Sequence, residues 1–431
     1  MSKFPVVETT LEKIVGGGQA LGLYSDGRKL FAWGGLPGET VRLQVTKKRS
    51  KLIEGRVIDV LQASSERIEP LDPKSYLSTS PWQIMSPEAE RHYKAALIEE
   101  AFELHDIVLP HPIEVHMDDR RFGYRNKTEF SWYWDTENNR LELAFFVRGS
   151  KGKVPVEGTS LAREEINVLA RAIRDILRKK QYEARDLKTL LIRCDQSGNC
   201  VWQLYVKNES ADYITADEAG KLPAQGGEII YSDPKSPASK ITKRLARFGE
   251  VTLHDSILGI PFNYAAESFF QVNIPIYEAA LKEMQTHVTA SKQPAVDLYS
   301  GVGTIGLTIG GAGITMVESD EYAVNEMQRN ITALDSDAKA VLATSESALS
   351  EITADKLIIV DPPRAGLHPE VIERLLETAP SKIIYLSCNP VTQARDVAHL
   401  AGIYGIKAHR GYNFFPCTPH IEHLVVLERK A

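Results

Sequence analysis

The stretch that most constrains this fold is an apolar run that turns through glycines into a helix. Ala295-Val296-Asp297-Leu298-Tyr299 is followed by Ser300-Gly301-Val302-Gly303-Thr304-Ile305-Gly306. The run has the composition of a buried strand. The glycines let the backbone approach a bound molecule, and the helix amino terminus offers free N–H groups. Gly-x-Gly alone fits a dinucleotide site equally well. Asp297 shifts the balance towards S-adenosylmethionine, whose sulfonium and amino groups are cationic and which has no pyrophosphate to be repelled. Further strands at 314–317, around Val341, at 356–360 and at 383–386 alternate with helical stretches. That pattern predicts an α/β fold with a mostly parallel sheet and helices on both faces.

In such a sheet ligands bind at the carboxyl ends of the strands. Strand 314–317 ends at Glu318, an acid placed to accept from both hydroxyls of a ribose. Strand 356–360 ends in Asp361-Pro362-Pro363-Arg364-Ala365-Gly366, a loop stiffened by two prolines. Pro369 marks the next helix, with Val371, Ile372, Leu375 and Leu376 on one face. Strand 383–386 closes in Ser387-Cys388-Asn389-Pro390, so Cys388 opens into the same crevice as the Asp-Pro-Pro loop. A lone cysteine is most often a small core hydrophobe. Glu422 precedes strand 423–427 and by itself equally suits a surface carboxylate on an edge strand. Cys417, in its Phe414-Phe415-Pro416 setting, reads as a packing residue.

At 431 residues the chain has room for two or three domains, divided here at 1–64, 65–250 and 251–431. Strands and Gly-rich turns in the first segment predict a small β-barrel, with clear alternation in Thr40-Val41-Arg42-Leu43-Gln44-Val45. Lys47, Lys48, Arg49 and Lys51 crowd one hairpin tip, which suits either a solvated loop or a grip on phosphates. In the central α+β segment a helix starts at Ser86-Pro87 and runs towards Leu104, and 163–178 reads as an amphipathic helix. Segments 141–147, 189–194 and 201–206 read as strands, the last two as a pair with Cys194 and Cys200 packed at facing ends. Arg120, Arg121, Arg125 and Lys127 flank Phe122 and Tyr124, a mix that suits single-stranded RNA or an edge strand with solvated arginines. Lys235, Lys240, Lys243, Arg244 and Arg247 form a second basic region.

Taken together, these motifs resemble the RNA uracil-C5 methyltransferase family, which makes 5-methyluridine with S-adenosylmethionine. The matching pieces are Ser268-Phe269-Phe270-Gln271-Val272-Asn273, Asp297 to Gly303, Asp361 to Gly366, Ser387 to Pro390 and Thr418-Pro419-His420-Ile421-Glu422. The first 60 or so residues resemble a TRAM domain, an RNA-binding barrel, through the Gly-rich first turn and the Leu36-Pro37-Gly38-Glu39 turn. The resemblance implies a Rossmann-like class I methyltransferase domain with a seven-stranded sheet. It makes Cys388 the nucleophile and Glu422 the general base. Gln271, Tyr299, Gly301, Glu318 and Asp361 would hold the cofactor, with Phe270 packed nearby. Lys47, Lys48, Arg49, Lys51, Arg121, Arg125 and Lys127 would meet RNA. Because a free thiol is mostly protonated at neutral pH, the site is expected to lower the Cys388 pKa.

Two departures stand out. Many barrel-bearing relatives hold an iron–sulfur cluster on cysteines just after the barrel, where this chain reads Leu77-Ser78-Thr79-Ser80-Pro81-Trp82-Gln83. With its four cysteines elsewhere, no cluster and no other metal is expected. The acidic residue that meets adenine in the family is replaced by Ala343-Thr344-Ser345-Glu346, so a hydroxyl substitutes or the contact is lost. A barrel is commoner among enzymes of ribosomal RNA, so 23S ribosomal RNA is the preferred substrate and transfer RNA the alternative. N-methylation of a base amino group would need no cysteine. A non-catalytic RNA-binding or assembly factor that keeps the fold is a further alternative, against which the Cys388 and Glu422 pair speaks. The net charge of −6 announces no nucleic-acid partner globally, so charge clusters matter more than the total. Met1-Ser2-Lys3-Phe4-Pro5 lacks a signal-peptide core, and no stretch approaches the ~20 apolar residues of a membrane helix. A monomeric cytoplasmic protein is the expectation.

Overall fold

A computed structural model of the chain describes residues 4–209 and 212–430; Met1, Ser2 and Lys3 lie outside them. The first five strands close into a barrel in the order Val6–Ile14, Ala20–Leu23, Lys29–Trp33, Leu52–Gln62 and Thr40–Lys48. The alternation in Thr40–Lys48 turns Val41, Leu43 and Val45 inward, where they meet Leu11, Leu30 and Ile53. Gly18, at φ +88°, carries the barrel onto the loop ahead of Glu422. A Cβ there would stand 2.1 Å from the Cβ of Pro419, so only glycine allows the contact.

A seven-stranded sheet forms the centre, ordered Lys243–Gly249, Gly226–Tyr231, Cys200–Val206, Leu187–Cys194, Lys127–Asp135, Arg140–Phe146 and Lys153–Val156. Helix Glu164–Lys179 lays Ile166, Leu169, Ile173 and Leu177 on this sheet against Phe130, Trp132, Ile192 and Leu204. Cys194 and Cys200 pair across the expected hairpin, both free and buried in that core.

The third sheet has eight strands rather than the expected seven. Its order is Lys339–Leu342, Thr315–Glu318, Ala295–Leu298, Leu357–Val360, Lys382–Ser387, Glu422–Arg429, Tyr404–Tyr412 and Val115–His116. The first five run parallel, Glu422–Arg429 returns antiparallel, and Val115–His116 adds itself beside Tyr404–Tyr412. The central strands are covered on both faces and read as unbroken apolar runs. The eighth strand comes from the span expected to be central. Helix Pro87–Glu103, capped by Ser86, also buries Ile98, Ala101 and Phe102 among Val296, Ile358 and Tyr385. Residues 87–116 therefore pack with the last unit, because that is where their apolar face is covered. Strand order reverses between Ala295–Leu298 and Leu357–Val360, the topological switch point at which such sheets bind ligands.

Candidate active site

The strands around the switch point deliver four carboxylates and a thiol to one edge. Asp361 follows Leu357–Val360, and Cys388 follows Lys382–Ser387. The antiparallel pairing of Lys382–Ser387 with Glu422–Arg429 ends at Ser387 opposite His423. Cys388 and Glu422 thus face each other one residue beyond the last pair. Glu422 is 4% exposed, so it is not a surface carboxylate. Asn389 ties the site together: its Nδ2 donates to Arg364 O at 2.9 Å, and its Oδ1 caps helix Pro390–Leu400.

Electrostatics overturn the expectation of a lowered thiol pKa. Burial, then Glu422 and Asp361, push Cys388 up to about 12, while the Arg364 guanidinium opposes the rise. Burial and Asp361 hold Glu422 well above the carboxylate range, and burial raises Asp361 to about 7. Asp297, fully buried, reaches about 8 through burial and the charge of Asp361. Acids crowded out of water cannot all ionise at once. Burial and mutual repulsion thus favour the protonated forms of these groups.

Of the expected cofactor residues, Tyr299, Gly301, Glu318 and Asp361 share this edge. Glu318 is held by its neighbours: Gly301 N donates to Oε2 at 3.0 Å, and Ser319 N and Asp320 N donate to Oε1 at 2.7 and 2.8 Å. Gly301 itself sits at φ +57°, and a Cβ there would meet nothing within 4 Å, leaving open space over the turn. Tyr299 adopts φ +65°, and its hydroxyl accepts from Ser345 Oγ at 2.8 Å. The buried Ser345 hydroxyl thus stands beyond the third strand, where the family's acid is missing. Gln271 is buried and its backbone carbonyl accepts from Asn126 Nδ2 at 2.9 Å, while Phe270 stacks on Tyr264 at 3.9 Å. Asp297 Oδ2 accepts from Gly306 N at 3.1 Å, and its Oδ1 is buried with no partner among the described residues.

The basic residues divide. Arg49 and Lys51 are exposed at the barrel hairpin, whereas Lys47 pairs with Glu54 at 3.2 Å and Lys48 lies 4.9 Å over the Tyr24 ring. Arg121 is not a free cation. Its side chain is 11% exposed, and it binds Glu90 at 3.2 Å and Met85 O at 2.9 Å. Lys127 is half-buried, donates to Glu267 O at 3.3 Å, and is pushed down to about 7 by burial and Arg193. Tyr124 is buried with its hydroxyl on Pro416 O, so its ring cannot stack on a base. Within the interleaved segment Tyr124 is buried, Arg121, Phe122, Arg125 and Lys127 are half-buried, and Arg120 is exposed. Arg244, in the second basic region, is spent on Glu228 and Glu267, beside a cavity of about 720 Å³ that contains no thiol.

Three residues without an expected role border the site. Arg364 lies 3.4 Å from both ring nitrogens of His420. His420 is pushed down to about 4 by burial and by Arg364, Lys94, Arg148 and Arg125, and is therefore neutral. Arg148 stacks 4.4 Å over Trp33 of the barrel and donates to Leu77 O. The motifs contained Arg364 and His420, but no spacing rule links them. Behind them, buried Glu90 accepts from Lys94, from Asn413 Nδ2 and from Cys417 N at 2.9 Å, bracing the loop that leads to Glu422. Cys417, at φ +62°, is buried there as a packing residue.

The sheet order, the glycine turn and the pinned Glu318 define a class I S-adenosylmethionine-dependent methyltransferase domain. The profile of the tRNA (uracil-5-)-methyltransferase family matches residues 92–430, well over half of the chain. The chain belongs to that family, and it is an RNA methyltransferase. It is 26% identical to an uncharacterized RNA methyltransferase of Nitratidesulfovibrio vulgaris, covering 98% of this chain and 96% of that one. A second, from Lactiplantibacillus plantarum, is 29% identical over 94% and 93% of the two chains. In fold it is similar to the Pyrococcus abyssi tRNA (uracil-54, C5)-methyltransferase solved with S-adenosyl-L-homocysteine. The TM-score is 0.79 at 19% identity, covering 97% of this chain and all of the other. Among the described residues no cluster of three or more His, Cys, Asp or Glu could hold a metal, and no helix is long and apolar enough to cross a membrane.

Proposed function

We propose that this chain methylates carbon 5 of a uridine in RNA through a covalent bond from Cys388 to carbon 6 of the uracil. One observation carries the reading: Cys388 and Glu422 face each other across neighbouring strands at the ligand edge of the sheet. Carbon 5 of uracil is a poor nucleophile. Addition of the Cys388 thiolate to carbon 6 breaks the carbon 5–carbon 6 double bond and leaves enolate character at carbon 5. S-adenosylmethionine, when bound, would supply the methyl group that carbon 5 takes, its sulfonium S–CH3 bond breaking to leave neutral S-adenosylhomocysteine. The Glu422 carboxylate then removes the carbon 5 proton; those electrons restore the double bond and expel the Cys388 thiolate. Arg364 is the charge that favours the ionised forms of both Cys388 and Glu422.

The residues present suit the cofactor. The unpartnered Asp297 oxygen, the anchored Glu318 carboxylate and the open space over Gly301 offer acceptors and room to a cationic ligand. Gln271, Tyr299 and Asp361 complete that set in this reading, with Ser345 on the adenine side. The Arg49 and Lys51 tip of the barrel is assigned to RNA phosphates.

For the substrate we infer 23S ribosomal RNA, on the strength of the barrel. Transfer RNA is the second reading, favoured by the substrate named for the Pyrococcus abyssi enzyme, whose likeness covers 97% of this chain. Transcripts of each RNA containing 5-fluorouridine, incubated with protein and S-adenosylmethionine, decide on a denaturing gel. Fluorine at carbon 5 cannot leave as a proton would, so the adduct persists. A cofactor-dependent band with one RNA, absent in Cys388→Ala, supports the reading and names the substrate. Cofactor binding with no band from either RNA overturns it.

A further inference from the structure

The reaction requires two groups on two different strands to meet adjacent atoms of one ring. Within a sheet, ladder hydrogen bonds set the distance between strands. Cys388 and Glu422 lie past the last pair of their ladder, where that restraint ends.

A buried glutamine braces the last rungs of that ladder, just before the two residues. Gln393, in helix Pro390–Leu400, has no exposed surface. Its Nε2 donates to Tyr385 O at 3.0 Å, on the strand leading to Cys388. The same Nε2 donates to His423 O at 2.9 Å, on the strand that begins with Glu422. Its Oε1 accepts from His423 Nδ1 at 2.7 Å. The amide orientation follows from the partners, since two carbonyls demand the –NH₂ end. Its backbone N–H donates to Asn389 O at 3.1 Å, so the first helical turn after Cys388 is rigidly joined to the clamp. Leucine would fill the space and remove all three of these hydrogen bonds. Glutamate would set an acceptor against two carbonyls.

We propose that Gln393 is a positioning residue that sets the separation of Cys388 and Glu422. This rests on the reading above. Attack on carbon 6 involves Cys388 alone, whereas release needs Glu422 to reach carbon 5 of a ring already tethered to Cys388. Loosening the clamp should therefore slow release more than attack.

The test uses full-length Gln393→Leu and Gln393→Glu, with Glu422→Gln as the reference for a failed release step. Calorimetry measures S-adenosylmethionine binding, and denaturing gels follow adducts on 5-fluorouridine and ordinary uridine transcripts. Cofactor affinity and the 5-fluorouridine adduct should stay near wild type. Turnover on uridine RNA should fall by about 10–100-fold, as misplacements of about an ångström do, with an adduct now accumulating on unmodified RNA as in Glu422→Gln. Attack and turnover falling in parallel, no change in either, or loss of cofactor binding in both variants would each overturn the proposal. Absence of any wild-type adduct with 5-fluorouridine would instead remove the underlying reading, and this proposal with it.

Discussion

Cys388 and Glu422 stand opposite each other one step beyond the Ser387–His423 pair, on antiparallel neighbours of an otherwise parallel sheet. Only a strand that returns against its neighbour brings its first residue to the edge where the parallel strands end. The antiparallel Glu422–Arg429 strand is thus what brings a carboxylate and a thiol from segments over 30 residues apart to one edge, as the proposed reaction requires.

With Cys388 as the proposed nucleophile and Glu422 as the proposed base, losing each should look different. Cys388→Ala should abolish both turnover and adduct while leaving S-adenosylmethionine affinity within about twofold. Glu422→Gln should lower turnover by about 10²–10⁴-fold, the range for a general base, and should trap the adduct on ordinary uridine RNA. Gels with radiolabelled RNA separate the two.

The acid cluster gives stability a definite pH dependence. Asp361 at about 7 and Asp297 at about 8 return towards the ordinary range near 4 on unfolding. Raised folded-state values mean that the stabilisation is full below about pH 4 and is lost as pH rises through 7 and 8. The melting temperature of the ligand-free protein should fall from pH 5 to pH 9, and Asp297→Asn should flatten that slope. By the same logic a cationic cofactor should displace protons. Calorimetry at pH 7 in buffers of differing ionisation enthalpy should show more proton release with S-adenosylmethionine than with neutral-sulfur S-adenosylhomocysteine.

Glu318 is held by three backbone N–H groups, so its carboxylate is pre-oriented. Glu318→Ala should weaken S-adenosylmethionine binding by about 10–100-fold, the equivalent of ~1.5–3 kcal/mol for hydrogen bonds to a charged group. The Cys388 alkylation rate should hardly change. Isothermal calorimetry and iodoacetamide labelling check the two halves.

The basic residues should sort by what they touch. Arg49→Ala with Lys51→Ala should weaken RNA binding and reduce its salt dependence, without altering cofactor affinity. Arg121→Ala should instead destabilise the fold by about 1.5–3 kcal/mol, because it strips one charged partner from the buried Glu90, which keeps Lys94. Filter binding against salt, alongside thermal melts, distinguishes these effects.

The catalytic sheet was legible in the sequence because each strand is a short apolar run closed by an unusual local string. Asp297 with its glycines, the Asp361-Pro362-Pro363 loop and Ser387-Cys388-Asn389-Pro390 all announce strand ends, and backbone chemistry at a strand end is local. The barrel and helix Glu164–Lys179 were legible for the same reason, from alternation and amphipathic period. Tertiary structure alone decided what depends on neighbours distant along the chain. Arg121 reads as an RNA contact until Glu90 is seen beside it, and Tyr124 as a stacking ring until Pro416 covers it. The eighth strand and helix Pro87–Glu103 join the last sheet through burial that no local pattern encodes. The direction of the Cys388 shift likewise came from burial, reinforced by Glu422 and Asp361, acids about 30 residues away on either side. Propensity and motif act over a few residues; charge, desolvation and packing act over a few ångströms, whatever the sequence distance.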